Sequence, residues 1–329
     1  MNQTKLRWGI LGVAKINERL IPAFTMAANT DLRAIASRDG DRARRAAVAA
    51  GISKAYGSYE ALLNDPDIDA VYIPLPNHLH GEWTCKAADH GQHILCEKPL
   101  APTAAEARQI VDYCRRKGVC LMDGFMWPHH PRTTRIRELL DSGQIGEVHL
   151  VNASFTFPLP FDPGNIRLQP ETGGGSLLDV GCYPVYGIRW AFGAEPTSVL
   201  AAANHLHGVD LAMNGILKFS DGRAGAFDCG FTLPFRGAIE IVGTKGVIRI
   251  PQMWLPPTNA TFEIVRENQS IETVTVECAS QIARVLENFA NAVFDGREAK
   301  PSPEEAVRTL KVLDALAKAA HDGKEICVQ

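Results

Sequence analysis

Hydrophobic positions change rhythm near residue 125. Before it, short and almost wholly apolar runs ("LRWGILG", "LRAIASR", "DAVYIPLP", "HILCEKP", "VCLMDGF") alternate with stretches whose apolar residues recur three and four apart, among them "DRARRAAVAAG", "HLHGEWTCKAADHG" and "TAAEARQIVDYCRRKG". Runs apolar on both faces predict strands buried in a parallel sheet, and the amphipathic stretches between them predict helical crossovers of one hand. Residues 1–125 are therefore expected to form a doubly wound α/β domain, with its ligand at the carboxyl ends of the strands.

Beyond residue 125 the alternation lapses. "EVHLVNASFTF", "TSVLAAANH", "LAMNGILKFS", "RAGAFDCGFT", "AIEIVGT", "GVIRIP", "TFEIVRE" and "IETVTVE" follow one another with few helices between, and "SDGR" and "GTKG" have hairpin-turn composition. This predicts an α+β domain over residues 126–329 with a large, mainly antiparallel open sheet. Its cover is expected from helices at "GSLLDVGCYPVYGIRWAFG", "QIARVLENFANAVFDG" and "SPEEAVRTLKVLDALAKAAHDG", the last with Ser302 and Glu305 in capping-box spacing. The sheet's other face, left bare, is expected to be hidden in a homodimer or homotetramer.

Composition narrows the class. The 46% hydrophobic and 22% charged content is that of a globular chain, and a net charge of −3 argues against nucleic-acid or membrane-surface partners. No apolar run has transmembrane length, and the amino terminus lacks the zones of a secretory signal. Eight scattered cysteines without a C-x-x-C pair fit reduced thiols, so a cytoplasmic enzyme is expected. The ten histidines show no metal-ligand spacing, and no metal is expected.

Three stretches carry candidate chemistry. "RWGILGVAKIN" has the form of a strand turning into a helix around a dinucleotide. From Gly12 onward, however, G-x-G-x-x-G becomes Gly12-x-Ala14-x-x-Asn17, and taken alone it reads equally as a strand ending in glycine. The next strand ends "AIASRDGDR". Ser37, Arg38 and, one turn on, Arg42 suit a 2′-phosphate and favour NADP, whereas Asp39 is the competing cue for NAD.

"HILCEKPL" places Glu97, Lys98 and Pro99 at a strand's carboxyl end, where a lysine can hold a substrate hydroxyl; a surface lysine is the plainer reading. "ETGGGSLLDVGCYPVYG" sets three glycines before a helix with Asp179 and Tyr183 on one face. That is either a carboxylate beside a proton-carrying phenol or a capped helix with a buried tyrosine.

Taken in order, "WGILGVAKIN", "PLPNHLH", "CEKPL", "DGFMW", "GQIGEV", "GGGSLLDVGCY", "GTKG" and "SPEEAVRTLKVLDAL" span essentially the whole chain and resemble the glucose–fructose oxidoreductase/inositol dehydrogenase (Gfo/Idh/MocA) family. The resemblance is to its NADP-dependent xylose dehydrogenase and dihydrodiol dehydrogenase-like branch. It implies Lys98 as the catalytic lysine, Tyr183 as the acid/base and Asp179 as a carboxylate near the substrate hydroxyl, with Lys98, Arg167, Asp179 and Tyr183 contacting substrate. For the cofactor it implies Gly12, Val13, Ala14, Lys15, Ile16 and Asn17 in the first turn, and Ser37, Arg38 and Arg42 around the phosphate. Leu75, Pro76, Asn77 and His80 would lie on the nicotinamide side, with Glu97, Lys98 and Arg167 nearby.

Pro128 stands where relatives often have arginine, a departure that puts one pocket contact in doubt. Relatives pair through the second sheet. The implied activity is NADP(H)-dependent hydride transfer at a CH–OH or C=O group of a sugar-like molecule, with an aldose such as xylose or glucose favoured. A dihydrodiol dehydrogenase or keto-sugar reductase, and a non-catalytic NADP-binding regulator on the same fold, are the alternatives.

Overall fold

The computed structural model describes residues 5–328; Met1–Thr4, at the start of the stretch read for a signal, lie outside the described residues. The chain divides into two compact units, residues 1–126 with 280–307 and residues 127–279 with 308–329. The first unit's amino-terminal segment ends at Met126. The return of residues 280–307 to the first unit is not anticipated by the sequence.

In chain order the first unit contains β1 (Leu6–Leu11), α1 (Asn17–Met26), β2 (Thr30–Ala36), α2 (Gly40–Ala50), β3 (Lys54–Tyr56), α3 (Tyr59–Leu63), β4 (Ala70–Ile73), α4 (His80–Asp89), β5 (His93–Cys96), α5 (Ala104–Lys117) and β6 (Leu121–Asp123). The strands lie in the order β3-β2-β1-β4-β5-β6, each pair parallel. The order reverses between β1 and β4, the switch point at which such sheets bind ligands.

Helix ends follow their residues. Thr103 caps α5 by accepting from the Glu106 amide, and Gly118 closes it at φ 70°. Between those caps Ala107, Ile110, Val111 and Cys114 form the buried stripe.

Beyond β6 come α6 (Pro131–Asp141), β7 (Val148–Thr156), a π-turn (Leu177–Gly181), α7 (Cys182–Phe192), β8 (Ser198–Leu206), β9 (Val209–Lys218), β10 (Ala224–Gly230), β11 (Ile239–Gly243), β12 (Gly246–Ile250), β13 (Asn259–Arg266), β14 (Ile271–Glu277), α8 (Gln281–Phe294), α9 (Glu304–Asp322) and β15 (Ile326–Cys327). Helix α8, expected over the second sheet, belongs to the first unit instead. Its Leu286 and Phe289 join Trp8, Ile10, Leu20 and Phe24 in one core. The Phe289 and Trp8 rings lie 5.2 Å apart, and the Asn29 amide donates to the Glu287 carbonyl and to Asn291. Its apolar stripe predicts burial but does not say against what.

The second sheet runs β14-β13-β12-β11-β7-β10-β9-β8-β15 and is antiparallel except where β7 and β10 pair in parallel. One face is packed so closely that glycines meet side chains. Gly225 faces Ile188 of α7, and Gly215 lies under Leu316 of α9. On the other face Leu150, Asn152, Asn214, Ile216, Asp228 and Glu240 stand on neighbouring strands, over a depression of about 940 Å³ within this unit. Among the described residues no helix is long and apolar enough to cross a membrane.

Candidate active site

The first unit shapes a turn around Gly12, whose φ of 131° is a conformation for glycine; a Cβ there would also press on Leu75 Cδ2 at 3.1 Å. Leu75 thus lines the turn, and Pro76 opens the short helical turn that carries Asn77. Asn17, in the third glycine's place, is buried, and its amide donates to the Gly12 carbonyl at 2.9 Å, closing the loop from within. Its Oδ1 is left as a buried acceptor without a partner.

The amide of Asn17 bonds back to Ala14, that of Glu18 to Lys15 and that of Arg19 to Ile16. The amides of Val13, Ala14, Lys15 and Ile16 have no acceptor among the described residues. A row of open N–H groups at a helix start is an anion cradle, and the residues present fit a dinucleotide pyrophosphate. Arg42 donates to the Val13 carbonyl at 2.6 Å, bringing its positive charge to the same loop.

The end of β2 resolves the two competing cues. The Asp39 carboxylate accepts from the amides of Asp41 and Arg42, so it is the N-cap of α2. The bond from Arg42, foremost among several causes, holds its pKa below the ordinary value. Its Oδ1 is thus occupied by its own helix. Ser37 Oγ accepts from the Asp39 amide, and the Arg38 charge lies near the Tyr59 hydroxyl, a neighbour that no sequence signal indicates.

At the end of β5 the Lys98–Pro99 peptide is cis. Glu97 accepts from the Tyr72 hydroxyl at 2.5 Å and from the Lys98 amide at 3.3 Å, so its carboxylate sits directly behind the lysine's backbone. The sequence reading missed Tyr72, because a tyrosine in a buried strand looks like core. Asp123, registered opposite Cys96, is fully enclosed. Burial, reinforced by the charges of Glu305 and Glu97, pushes its pKa to about 8, so near neutrality it adds little negative charge beside Glu97.

His80 is fully buried, its ring nitrogens 2.8 Å from the Pro99 carbonyl and 2.7 Å from the Leu75 carbonyl. Burial lowers its pKa to about 4, against the two carbonyls, which favour the charged form. Its ring therefore sits between the loop after β4 and the loop after β5, and in the neutral form its single N–H donates to one of the two carbonyls.

In the second unit each glycine before the π-turn has its own reason. Gly173 ends a short helical turn at φ 75°. Gly174 lies flat on the Arg167 segment, where a Cβ would come within 2.7 Å of two carbonyl oxygens, those of Arg167 and Gln169. Gly175, at φ 108°, faces Asp210. The amides of Gly174 and Gly175 bond to the carbonyls of Gln169 and Arg167, which brings Arg167 alongside the turn. Arg167 Nε then donates to Asp179 Oδ2 at 2.6 Å.

Four residues on, at the start of α7, Tyr183 is largely buried, with its ring 5.0 Å from Phe155 and 5.9 Å from Trp254. Arg167, Asp179 and Tyr183 are thus held by one short stretch of backbone. Asp179 is half-buried, and Arg167 keeps 40% of its side chain exposed and able to meet a ligand.

A parallel sheet in the order 3-2-1-4-5-6, with open amides after its first strand, defines a nucleotide-dependent oxidoreductase; the second unit adds a sheet domain bearing an arginine, a carboxylate and a phenol. Residues 6–125 match the model of the oxidoreductase family with an NAD-binding Rossmann fold, and residues 133–249 match the GFO/IDH/MocA C-terminal domain. The chain belongs to this Gfo/Idh/MocA family of NAD(P)-dependent oxidoreductases.

Among similar proteins is D-xylose 1-dehydrogenase (NADP(+)) 2 of Haloferax volcanii, 38% identical over 324 residues that cover 98% of this chain and 99% of that one. The dTDP-3,4-didehydro-2,6-dideoxy-alpha-D-glucose 3-reductase of Actinomadura kijaniata is 34% identical over 327 residues, covering 98% and 97%. A crystal structure of a 3-ketoreductase from Actinomadura kijaniata with NADP and TDP-benzene superposes with a TM-score of 0.90 at 34% identity, covering 96% of this chain and 98% of that one.

Proposed function

We propose that this protein is an NADP(H)-dependent oxidoreductase that interconverts a CH–OH and a C=O group on an aldose or related sugar. The observation that carries the reading is the Arg167–Asp179 pair on the turn leading to Tyr183, a phenol and a carboxylate presented together by a chain whose other unit carries Lys98 two residues past the end of β5. Its likeness to a D-xylose 1-dehydrogenase and to a sugar 3-reductase supports the substrate class. Ser37, Arg38 and Arg42 receive the 2′-phosphate, the open amides of residues 13–16 receive the pyrophosphate, and the N-cap role of Asp39 weighs against its use as a ribose ligand for NAD.

When bound, the nicotinamide gives or takes hydride. The chain's own residues handle the oxygen: Lys98 polarises it with its ammonium, Tyr183 exchanges a proton with it, and Asp179, braced by Arg167, orients the hydroxyl. Preorganised charge and a positioned acid/base are what proton-coupled hydride transfer requires. Leu75, Pro76 and Asn77 line the nicotinamide side, with the buried His80 ring between the two loops. Eight free thiols support a reducing, cytoplasmic setting. The bare sheet face, with Leu150 and Ile216 exposed, supports pairing of identical copies into a dimer or tetramer.

Following the nicotinamide absorbance across a panel of aldoses, keto-sugars and dihydrodiols, with NADP and with NAD, tests the reading. Turnover of an aldose with NADP is the expected result. Tight NADPH binding without turnover of any panel member would overturn it in favour of a regulator.

A further inference from the structure

The proposed chemistry needs Asp179 and Tyr183 to be presented in a single register, and a π-turn holds register poorly by itself. It is a rare, single-turn conformation, and its first amides have no partner inside the helix. Ser176, just before Leu177, has helical dihedrals (φ −71°, ψ −31°), and its side chain caps nothing.

The cap comes instead from a strand. Oδ2 of Asp210, the second residue of β9, accepts from the Leu177 amide at 2.7 Å and from Ser176 Oγ at 2.6 Å. Gly175 leaves room for that carboxylate, since a Cβ on it would collide with Asp210 Oδ1. Cys229 of β10 bridges the turn's two ends, 3.7 Å from Ser176 Oγ and filling the space a Cβ on Gly181 would need. Ser176 and Cys229 are almost wholly buried, so these contacts are not shared with water.

We propose that Asp210 is a positioning residue. Its carboxylate pins the first turn of the helix that carries Asp179 and Tyr183, and so sets the angle at which the phenol is offered. The inference rests on the function proposed above in treating Tyr183 as the proton carrier. Burial pushes the Asp210 pKa up, while the bonds from Ser176 and Leu177 oppose that push. What the turn requires is an acceptor oxygen, which an asparagine can also supply.

The test compares the full-length wild type with Asp210→Ala, Asp210→Asn and Ser176→Ala, using NADP and D-xylose as probes and amide hydrogen exchange over residues 174–184. Asp210→Ala is expected to lower kcat about tenfold or more, as a small displacement of an acid/base does, to speed exchange in that segment, and to leave NADPH affinity within about twofold. Asp210→Asn should restore both kcat and protection, and Ser176→Ala should fall between. Unchanged kcat and exchange in Asp210→Ala, or an asparagine variant as impaired as the alanine one, would overturn the proposal. If Asp210→Ala does not fold, wild-type exchange rates in Ser176→Ala overturn it. A wild type inert toward every panel substrate refutes the proposed function, and exchange alone then decides the clamp.

Discussion

Two glycine-dependent turns serve the two halves of the chemistry, and they are built in opposite ways. The cofactor turn keeps one glycine, Gly12, closes itself with the Asn17 side chain, and leaves four amides without partners. The substrate-side turn spends one glycine on a left-handed helix end and two on close approaches to its own chain, and its first amide is already capped by Asp210. A turn that binds a ligand holds its donors in reserve; a turn that aims side chains has its donors satisfied internally. Damage to the first should therefore appear as lost binding, and damage to the second as lost turnover.

Gly175→Ala should have the largest effect. At φ 108° with Asp210 in the way, the substitution is strained by roughly 1–3 kcal/mol before any contact is counted. Turnover should fall at least tenfold, measured by nicotinamide absorbance, with NADPH affinity retained. Ala14→Val should do the reverse: NADPH binding, followed by fluorescence titration, should weaken about tenfold, the scale of one lost charge-assisted bond, with the melting temperature unchanged. Ala14→Gly should be tolerated. If either valine or alanine variant lost binding and turnover together, the contrast between the turns would be wrong.

Arg38→Ala should erode the preference for NADP over NAD by about tenfold, the worth of a charge-assisted bond to the phosphate. Asp39→Ala should only lower the melting temperature, because its carboxylate caps α2; a switch in cofactor preference in that variant would restore it as a ribose ligand.

A smaller effect, with a definite sign, concerns acid. Bonds from Arg108 and Arg115 take the Glu304 pKa from 4.5 to about 2. The unfolded chain therefore binds a proton that the folded chain refuses in that window. Stability from this cluster is complete above 4.5 and disappears as pH falls toward 2. Replacing Glu304 with glutamine should flatten that part of the stability–pH curve.

The alternation of apolar runs and amphipathic stretches was enough to read the parallel sheet, because burial on both faces leaves an unmistakable pattern. The second sheet was legible as strands and hairpins, but its one parallel pair was not, since β7 and β10 meet only through tertiary packing. Helix α8 shows the same limit: its stripe is plain, but its partners Trp8 and α1 lie far away in the chain.

At the site, Lys98, Asp179 and Tyr183 stood out as residue types in telling positions. The rivalry of Arg38 and Asp39 was settled only by seeing which backbone amides the carboxylate accepts from. Asp210 was invisible, because one aspartate at the start of a hairpin strand looks like a solvated turn. The π-turn was hidden too: Asp179 and Tyr183 sit four apart, which suits an ordinary helix equally well.

The central claim is that Tyr183 carries the proton and is not needed to hold the cofactor. The most direct test measures turnover and NADPH binding side by side in Tyr183→Phe. Turnover is predicted to fall about 10²- to 10⁴-fold, the usual worth of a positioned acid/base, while the NADPH titration stays that of the wild type. Turnover within twofold of wild type would contradict the account.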